Sequence, residues 1–227
     1  VNISLHCWQT DDVGGFETAD AALSGGGIQA TGNYPGKSTS IAEVQADLEK
    51  VLSLLPGKQR LNLHAIYGDF GGEVVDRDQI EVKHFQSWID WCKKMEIGMD
   101  FNASCFSHPR AEDGYTLSSK NEENRKFWVE HVKRCRTISA EAGKQLGTPC
   151  VHNTWIPDGS KDTPIDRNGY RILLKKSLDE AMEIDYPKEY MKDAVESKLF
   201  GIGVESMTVG SHDFYLGYAI KNNKLIC

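Results

Sequence analysis

Strand-like runs alternate with helical patterns along the whole of the 227-residue chain, and this alternation restricts the possible folds more than any other feature. Strands are expected at residues 3–7, 61–67, 98–103, 150–155 and 194–202, with a short one at 225–227. Between the first two, Ile41, Val44, Leu48, Val51, Leu52 and Leu55 recur at three- and four-residue spacing, which predicts a helix over 41–55. Ser40 followed by Glu43 forms a capping box at its start, and Pro56-Gly57 ends it. Further helices are expected over 80–96, with Phe85, Trp88, Ile89 and Cys92 on one face, over 122–145, and over 170–184. Their apolar stripes require a flat hydrophobic partner.

Repeated strand–helix units build parallel sheets, either as an open doubly wound sheet or as a closed barrel. The open sheet needs strands apolar on both faces. Here the strands carry polar groups toward their C-terminal ends: His6 and Gln9, His64 and Tyr67, Asp100 and Asn102, His152 and Asn153, Glu196 and Lys198. Barrel enzymes assemble their sites from the C-terminal ends of many strands, so this distribution favours a (β/α)8 TIM barrel. About six of the eight strands are present, and both ends of the chain fall inside strand-like runs. The expectation is one barrel domain over 1–227, truncated at both ends.

Composition excludes several function classes. A formal charge of −7 is opposed to nucleic-acid binding, which needs concentrated Lys and Arg. No apolar run approaches the roughly 20 residues of a membrane span and no basic-then-apolar leader opens the chain, so a cytoplasmic location is expected. The six cysteines are scattered, without C-x-x-C or zinc-site spacing, and Cys92 and Cys135 sit in helical patterns as reduced, buried thiols.

Among candidate site residues, Glu196 and Lys198 stand two apart in a strand-like run and are expected to share one face. Burying both is costly unless they pair or bind something charged. They form either a structural ion pair or a metal-ligating carboxylate with a lysine that holds a substrate oxygen. His64 and His6 are core histidines or site residues. Trp155, at a strand end, floors a sugar site or plugs the barrel mouth. The doublet Asp11-Asp12 is a solvated loop pair or approaches a metal. The loop from Gly32 to Ser38 fails the phosphate-loop spacing, since a glycine would have to stand at Thr31, and Gly25-Gly26-Gly27 reads as a turn or lid.

Several stretches, taken in order, resemble the L-rhamnose isomerase family: His6-Cys7-Trp8-Gln9 with Asp11-Asp12-Val13, Gly26 through Lys37, Leu61 through Tyr67, Asp100-Phe101-Asn102 with Cys105-Phe106-Ser107-His108-Pro109, Trp155 through Gly159, and Val195 through Gly203. The resemblance implies a (β/α)8 barrel, a homotetramer, a divalent metal (usually Mn2+, at two sites in the complete enzyme) and interconversion of L-rhamnose and L-rhamnulose in rhamnose catabolism. By position it implies that Glu196 ligates metal and Lys198 lies beside the reacting end of the sugar. It likewise implies that His64, Trp155 and Trp8 bind substrate, and that Ile66 and Tyr67 line the pocket for the sugar's methyl end. The family's remaining metal ligands fall beyond Cys227, so 1–227 alone is expected neither to hold manganese tightly nor to turn over sugar. Two other readings compete: another barrel isomerase or epimerase, such as one acting on xylose, and a non-catalytic carbohydrate-binding protein that needs no metal. A phosphate-loop kinase stands last.

Overall fold

A computed structural model describes residues 2–9, 38–198 and 206–227. Six strands pair in parallel in one curled sheet: β1 (Asn2–His6), β2 (Lys58–His64), β3 (Gly98–Asn102), β4 (Cys150–Trp155), β6 (Met191–Glu196) and β8 (Leu225–Ile226). Their spatial order follows the chain, so each connection advances in the same direction and the order never reverses. A doubly wound sheet requires such a reversal. Right-handed crossovers that always advance place the helices on one face and leave the other as an interior, which is the arrangement of an incomplete TIM barrel. The two-residue strands β5 (Gly159–Ser160) and β7 (Met207–Thr208) pair antiparallel beside the main sheet. Sequence patterning had indicated neither of them.

Five α-helices are present among the described residues. α1 (Ile41–Leu54) buries Val44, Leu48 and Leu52, one turn apart. At its start the Ser40 hydroxyl accepts from the Glu43 amide, and the Glu43 carboxylate accepts most closely from the amide and hydroxyl of Thr39. α2 (Gln86–Lys94) begins later than expected, because residues Val82–Phe85 form a 3-10 turn first. α3 (Glu122–Leu146) matches its pattern closely. The Asn121 side chain accepts the amides of Glu123 and Asn124, and Gly147 at φ 66° closes the other end. Gly143 lets α3 approach the sheet, since a Cβ there would stand 1.8 Å from the Tyr190 carbonyl oxygen. α4 (Arg167–Ala181) starts and stops three residues before the expected span, capped by Asp166. α5 (His212–Asn222) was not anticipated.

α3 packs on β3 and β4, and α5 on β6. In β2, Leu61 and Leu63 face the helices with Phe101, Trp88 and Trp128 in the core, while Arg60, Asn62 and His64 take the opposite face. Structural charge is tied down on the helix side: Arg136 of α3 forks onto Asp193 of β6 at 2.8 and 3.0 Å and also donates to the carbonyls of Ala181 and Ile184. Lys224 reaches the same carboxylate at 2.8 Å.

Three expectations are corrected. The strand expected over 194–202 runs from Met191 to Glu196, so Lys198 lies past its end and the argument for a shared strand face does not hold. The strand expected over 61–67 stops at His64, and Ala65–Tyr67 form a 3-10 turn. His152 points to the helix layer, against Ser139 of α3, and not into the barrel. Asp11-Asp12, Gly25-Gly26-Gly27, the loop 32–37 and residues 199–202 lie outside the described residues.

Candidate functional site

The interior face gathers polar and aromatic side chains at the C-terminal ends of the strands. His6 ends β1, and Trp8 follows in a 3-10 turn (Cys7–Gln9); His64 ends β2; Phe106 follows β3; Trp155 ends β4; Glu196 ends β6. Trp8 stacks on His64 with centroids 4.2 Å apart and planes 12° from parallel. His6 leans on both rings, at 4.6 and 5.0 Å. Phe106, fully buried, meets Trp8, His64 and Trp155 edge-on at 5.7, 5.5 and 5.9 Å, so it joins the first two strands to the fourth. Edge-to-face and stacked rings of this kind hold one another in place. Trp8 and Trp155 remain half-buried, presenting an aromatic wall.

The hydrogen bonds beneath that wall define the histidine tautomers. The Trp8 amide donates to Nδ1 of His6 at 3.2 Å, so the His6 proton sits on Nε2 and is donated to Nε2 of His64, 3.2 Å away. Nδ1–H of His64 then donates to Ser104 Oγ, which also accepts the Ile66 amide. Burial pushes His6 down to about 4. It pushes His64 well below the ordinary imidazole value, with the neighbouring His6 adding to the effect. Both rings are therefore neutral near pH 7, and both nitrogens of His64 already have partners. Ile66 and Tyr67 are buried in the turn beyond, where the Tyr67 carbonyl accepts Trp88 Nε1–H.

On the other side of the wall, Trp155 pairs in register with Glu196. The Glu196 carboxylate is half-buried and accepts from Nδ2 of Asn153, which also donates to Oδ1 of Asn102 at 3.0 Å. Asn102 in turn donates to Asn62 and to the Leu63 carbonyl. Lys198 is buried, with Nζ donating to the Pro157 carbonyl at 2.7 Å and its amide to the Gly210 carbonyl. The turn that supplies this carbonyl is anchored by Asp158, whose buried carboxylate accepts four bonds from Thr116 and Ser118.

The arrangement thus brings Trp8, His64, Trp155 and Glu196 to one rim, with Lys198 placed behind the loop that leaves β4. Sequence reasoning missed Phe106 as the connecting ring, and missed Asn102 as the partner of the carboxylate's neighbour Asn153 and Asn62 as the partner of Asn102. Asparagine is depleted in strands, so three asparagines at 62, 102 and 153 were the available signal.

The family profile described as L-rhamnose isomerase (RhaA) matches residues 1–227. The chain belongs to the L-rhamnose isomerase family. It is 56% identical over 225 residues to an L-rhamnose isomerase of Bacteroides thetaiotaomicron, covering 99% of this chain and 53% of that protein. It is 54% identical over 227 residues to one from Rhodopirellula baltica, covering 100% of this chain and 53% of that protein. The Enterobacter sp. enzyme is 55% identical over 225 residues, with the same shares as the first. The chain therefore spans about half the length of the L-rhamnose isomerases it matches. Among the described residues no three His, Cys, Asp or Glu side chains gather to hold a metal ion. An oxygen-donor cation suits the Glu196 carboxylate in kind, but the described residues supply that single carboxylate and not a complete site. No helix among them is long and apolar enough to cross a membrane.

Proposed function

We propose that the protein containing this chain interconverts L-rhamnose and L-rhamnulose as a metal-dependent aldose–ketose isomerase in rhamnose catabolism, acting in the cytoplasm as a homotetramer. The observation that carries this reading is the family match over all 227 residues. The rim of rings and the lone carboxylate are consistent with it. Moving a carbonyl from C1 to C2 gathers negative charge on O1 and O2, and a bound divalent ion such as Mn2+ stabilises that charge as a Lewis acid.

The chain's own residues supply the frame. Glu196 contributes one oxygen ligand at the end of β6, the remaining ligands coming from outside the described residues. Trp155 and Trp8 offer ring faces to the C–H surface of the sugar, while Phe106 fixes the angle between them. His64 contributes its stacked, neutral ring, since both nitrogens are engaged within the protein. Ile66 lies toward the methyl end of a 6-deoxy sugar with the fully buried Tyr67 supporting its turn, and Lys198 lies toward the sugar's reacting end, its Nζ held by the Pro157 carbonyl. The free cysteines, five of the six buried, support the cytoplasmic reading.

Assays on the full-length protein test the reading. L-rhamnose with Mn2+ should yield L-rhamnulose faster than xylose yields its ketose, chelation should abolish turnover, and Glu196→Ala should abolish the metal-dependent rate. Equal turnover of xylose, or full activity in Glu196→Ala, contradicts it.

A further inference from the structure

We propose that Asn153 is the positioning residue for the Glu196 carboxylate, held in place by a row of asparagine amides that crosses three strands. This inference rests on the reading of Glu196 as a metal ligand and adds to it the group that aims the carboxylate.

The direction of every amide in the row follows from one backbone group. The Leu63 carbonyl can only accept, so the side-chain nitrogen of Asn102 must face it, and the two stand 3.1 Å apart. That choice turns Oδ1 of Asn102 toward β4, where Asn153 is its register partner. Oδ1 of Asn102 can only accept, so Nδ2 of Asn153 faces it at 3.0 Å. The second hydrogen of that nitrogen is then directed at Oε2 of Glu196. A carbonyl on β2 thereby sets a hydrogen bond on β6.

Burial makes the row rigid. Asn102 is 2% exposed and Asn153 is 7% exposed, so water does not compete for their amides. The arrangement also carries a cost that folding alone does not require. Oδ1 of Asn153 is buried and has no hydrogen-bond partner among the described residues. A buried acceptor left unpaired calls for a compensating role. A leucine at 153 would remove that orphan oxygen, but it would take the donor from Glu196 and leave the buried Oδ1 of Asn102 without one. An aspartate would set one carboxylate against another. Asparagine supplies two donors from one planar nitrogen, and that geometry fits both neighbours at once.

Groups that orient a metal ligand from behind typically change metal affinity or activity by about 10–100-fold when removed. The test uses the full-length protein, stripped of metal, with Asn153→Leu compared with Glu196→Gln and the parent. Calorimetric titration of Mn2+ gives the affinity, steady-state kinetics with L-rhamnose give kcat and KM separately, and the melting temperature controls for folding. Asn153→Leu should weaken Mn2+ binding by about 10–100-fold and lower kcat comparably, with KM for the sugar moving far less and the melting temperature falling only modestly, as expected for one buried hydrogen bond. Asn153→Ser, which keeps one donor, should lie between Asn153→Leu and the parent. Parent-like Mn2+ affinity and kcat in Asn153→Leu, alongside their loss in Glu196→Gln, overturn the positioning role and leave the site reading standing. Parent-like Mn2+ affinity in Glu196→Gln removes the site reading and this inference with it. If Asn153→Leu does not fold, Asn153→Ser decides on the same two measurements.

Discussion

Lowering the pH below 6.5 should destabilise this protein steeply, and the cause lies in three histidines that burial keeps neutral. His6 and His152 are pushed down to about 4 and His131 to about 3, from the ordinary value of 6.5, in each case mainly by desolvation. In the unfolded chain each takes up a proton as pH falls through 6.5, whereas in the folded chain each stays neutral until near 4 or below. The unfolded state therefore binds more protons throughout that window, and stability declines as pH drops from 6.5 toward 4. One such group costs at most about 1.4 kcal/mol per pH unit, so two units below 6.5 each contributes on the order of 2–3 kcal/mol and the three together on the order of 7 kcal/mol. That is on the order of the whole stability of a folded domain, about 5–15 kcal/mol. Asp193, held below its usual range by Arg136 and Lys224 against the opposing effect of burial, loses its contribution only at still lower pH, so the two effects separate. The assay is urea unfolding of the full-length protein at pH 7.5, 6.5, 5.5 and 4.5. His131→Gln isolates one group. A glutamine amide can accept the Ser104 amide and donate to the Arg77 carbonyl as His131 does, but it takes up no proton. The decline between pH 6.5 and 4.5 should shrink by about 2 kcal/mol in that variant. A stability curve flat across the window, or an identical slope in His131→Gln, refutes the reasoning.

Asp193→Ala leaves Arg136 and Lys224 without their carboxylate and should destabilise by about 3–5 kcal/mol, whereas Arg136→Met with Asp193→Leu should recover most of the loss; thermal unfolding of the singles and the double measures both. Gly143→Ala forces a methyl into the Tyr190 carbonyl and should cost about 3 kcal/mol, with the melting temperature as readout and an unchanged value as the contrary result. Phe106→Leu removes three ring contacts, each worth about 0.5–1.5 kcal/mol, and should lower stability by about 2 kcal/mol while raising KM for L-rhamnose.

The fold was legible where local patterning and tertiary role agree. α1 and α3 have one apolar stripe, one cap and one stop signal, and their boundaries fall within a residue of the expected ones. β6 was displaced because its true residues include Lys192 and Asp193, which look unsuited to a central parallel strand. Asp193 is admissible there only because Arg136, 57 residues away, neutralises it, and no local window contains that fact. α5 was missed for a related reason. Phe214, Tyr215, Leu216, Tyr218, Ala219 and Ile220 surround the helix on every side, so no stripe stands out, and Leu216 and Ile220 remain exposed. In the site, His64 and Trp155 were conspicuous as rare residues at strand ends. Phe106 carried no such local signal, because its role depends on three rings from other strand ends.

The carboxylates of the sheet and its loops separate by how completely the protein itself satisfies them. Asp100 accepts from Ser4 Oγ, Arg60 Nε, Arg60 Nη2 and the Val151 amide, all within 2.9 Å, and so closes the lower barrel. Asp158 accepts four donors from one loop, and Asp193 accepts three from two cations. Each of these is structural chemistry: Asp100 and Asp158 have all four acceptor sites filled, and Asp193 is matched by two cations. Glu196 differs. Among the described residues it accepts from the Asn153 amide alone, and no cation is paired with it there. Among the described residues this half-buried carboxylate has one neutral donor where its neighbours have three or four, so its remaining lone pairs are open to a further partner. That difference, and not the mere presence of an acid on a strand, is the physical reason to propose the ligand role for Glu196 rather than for the other three.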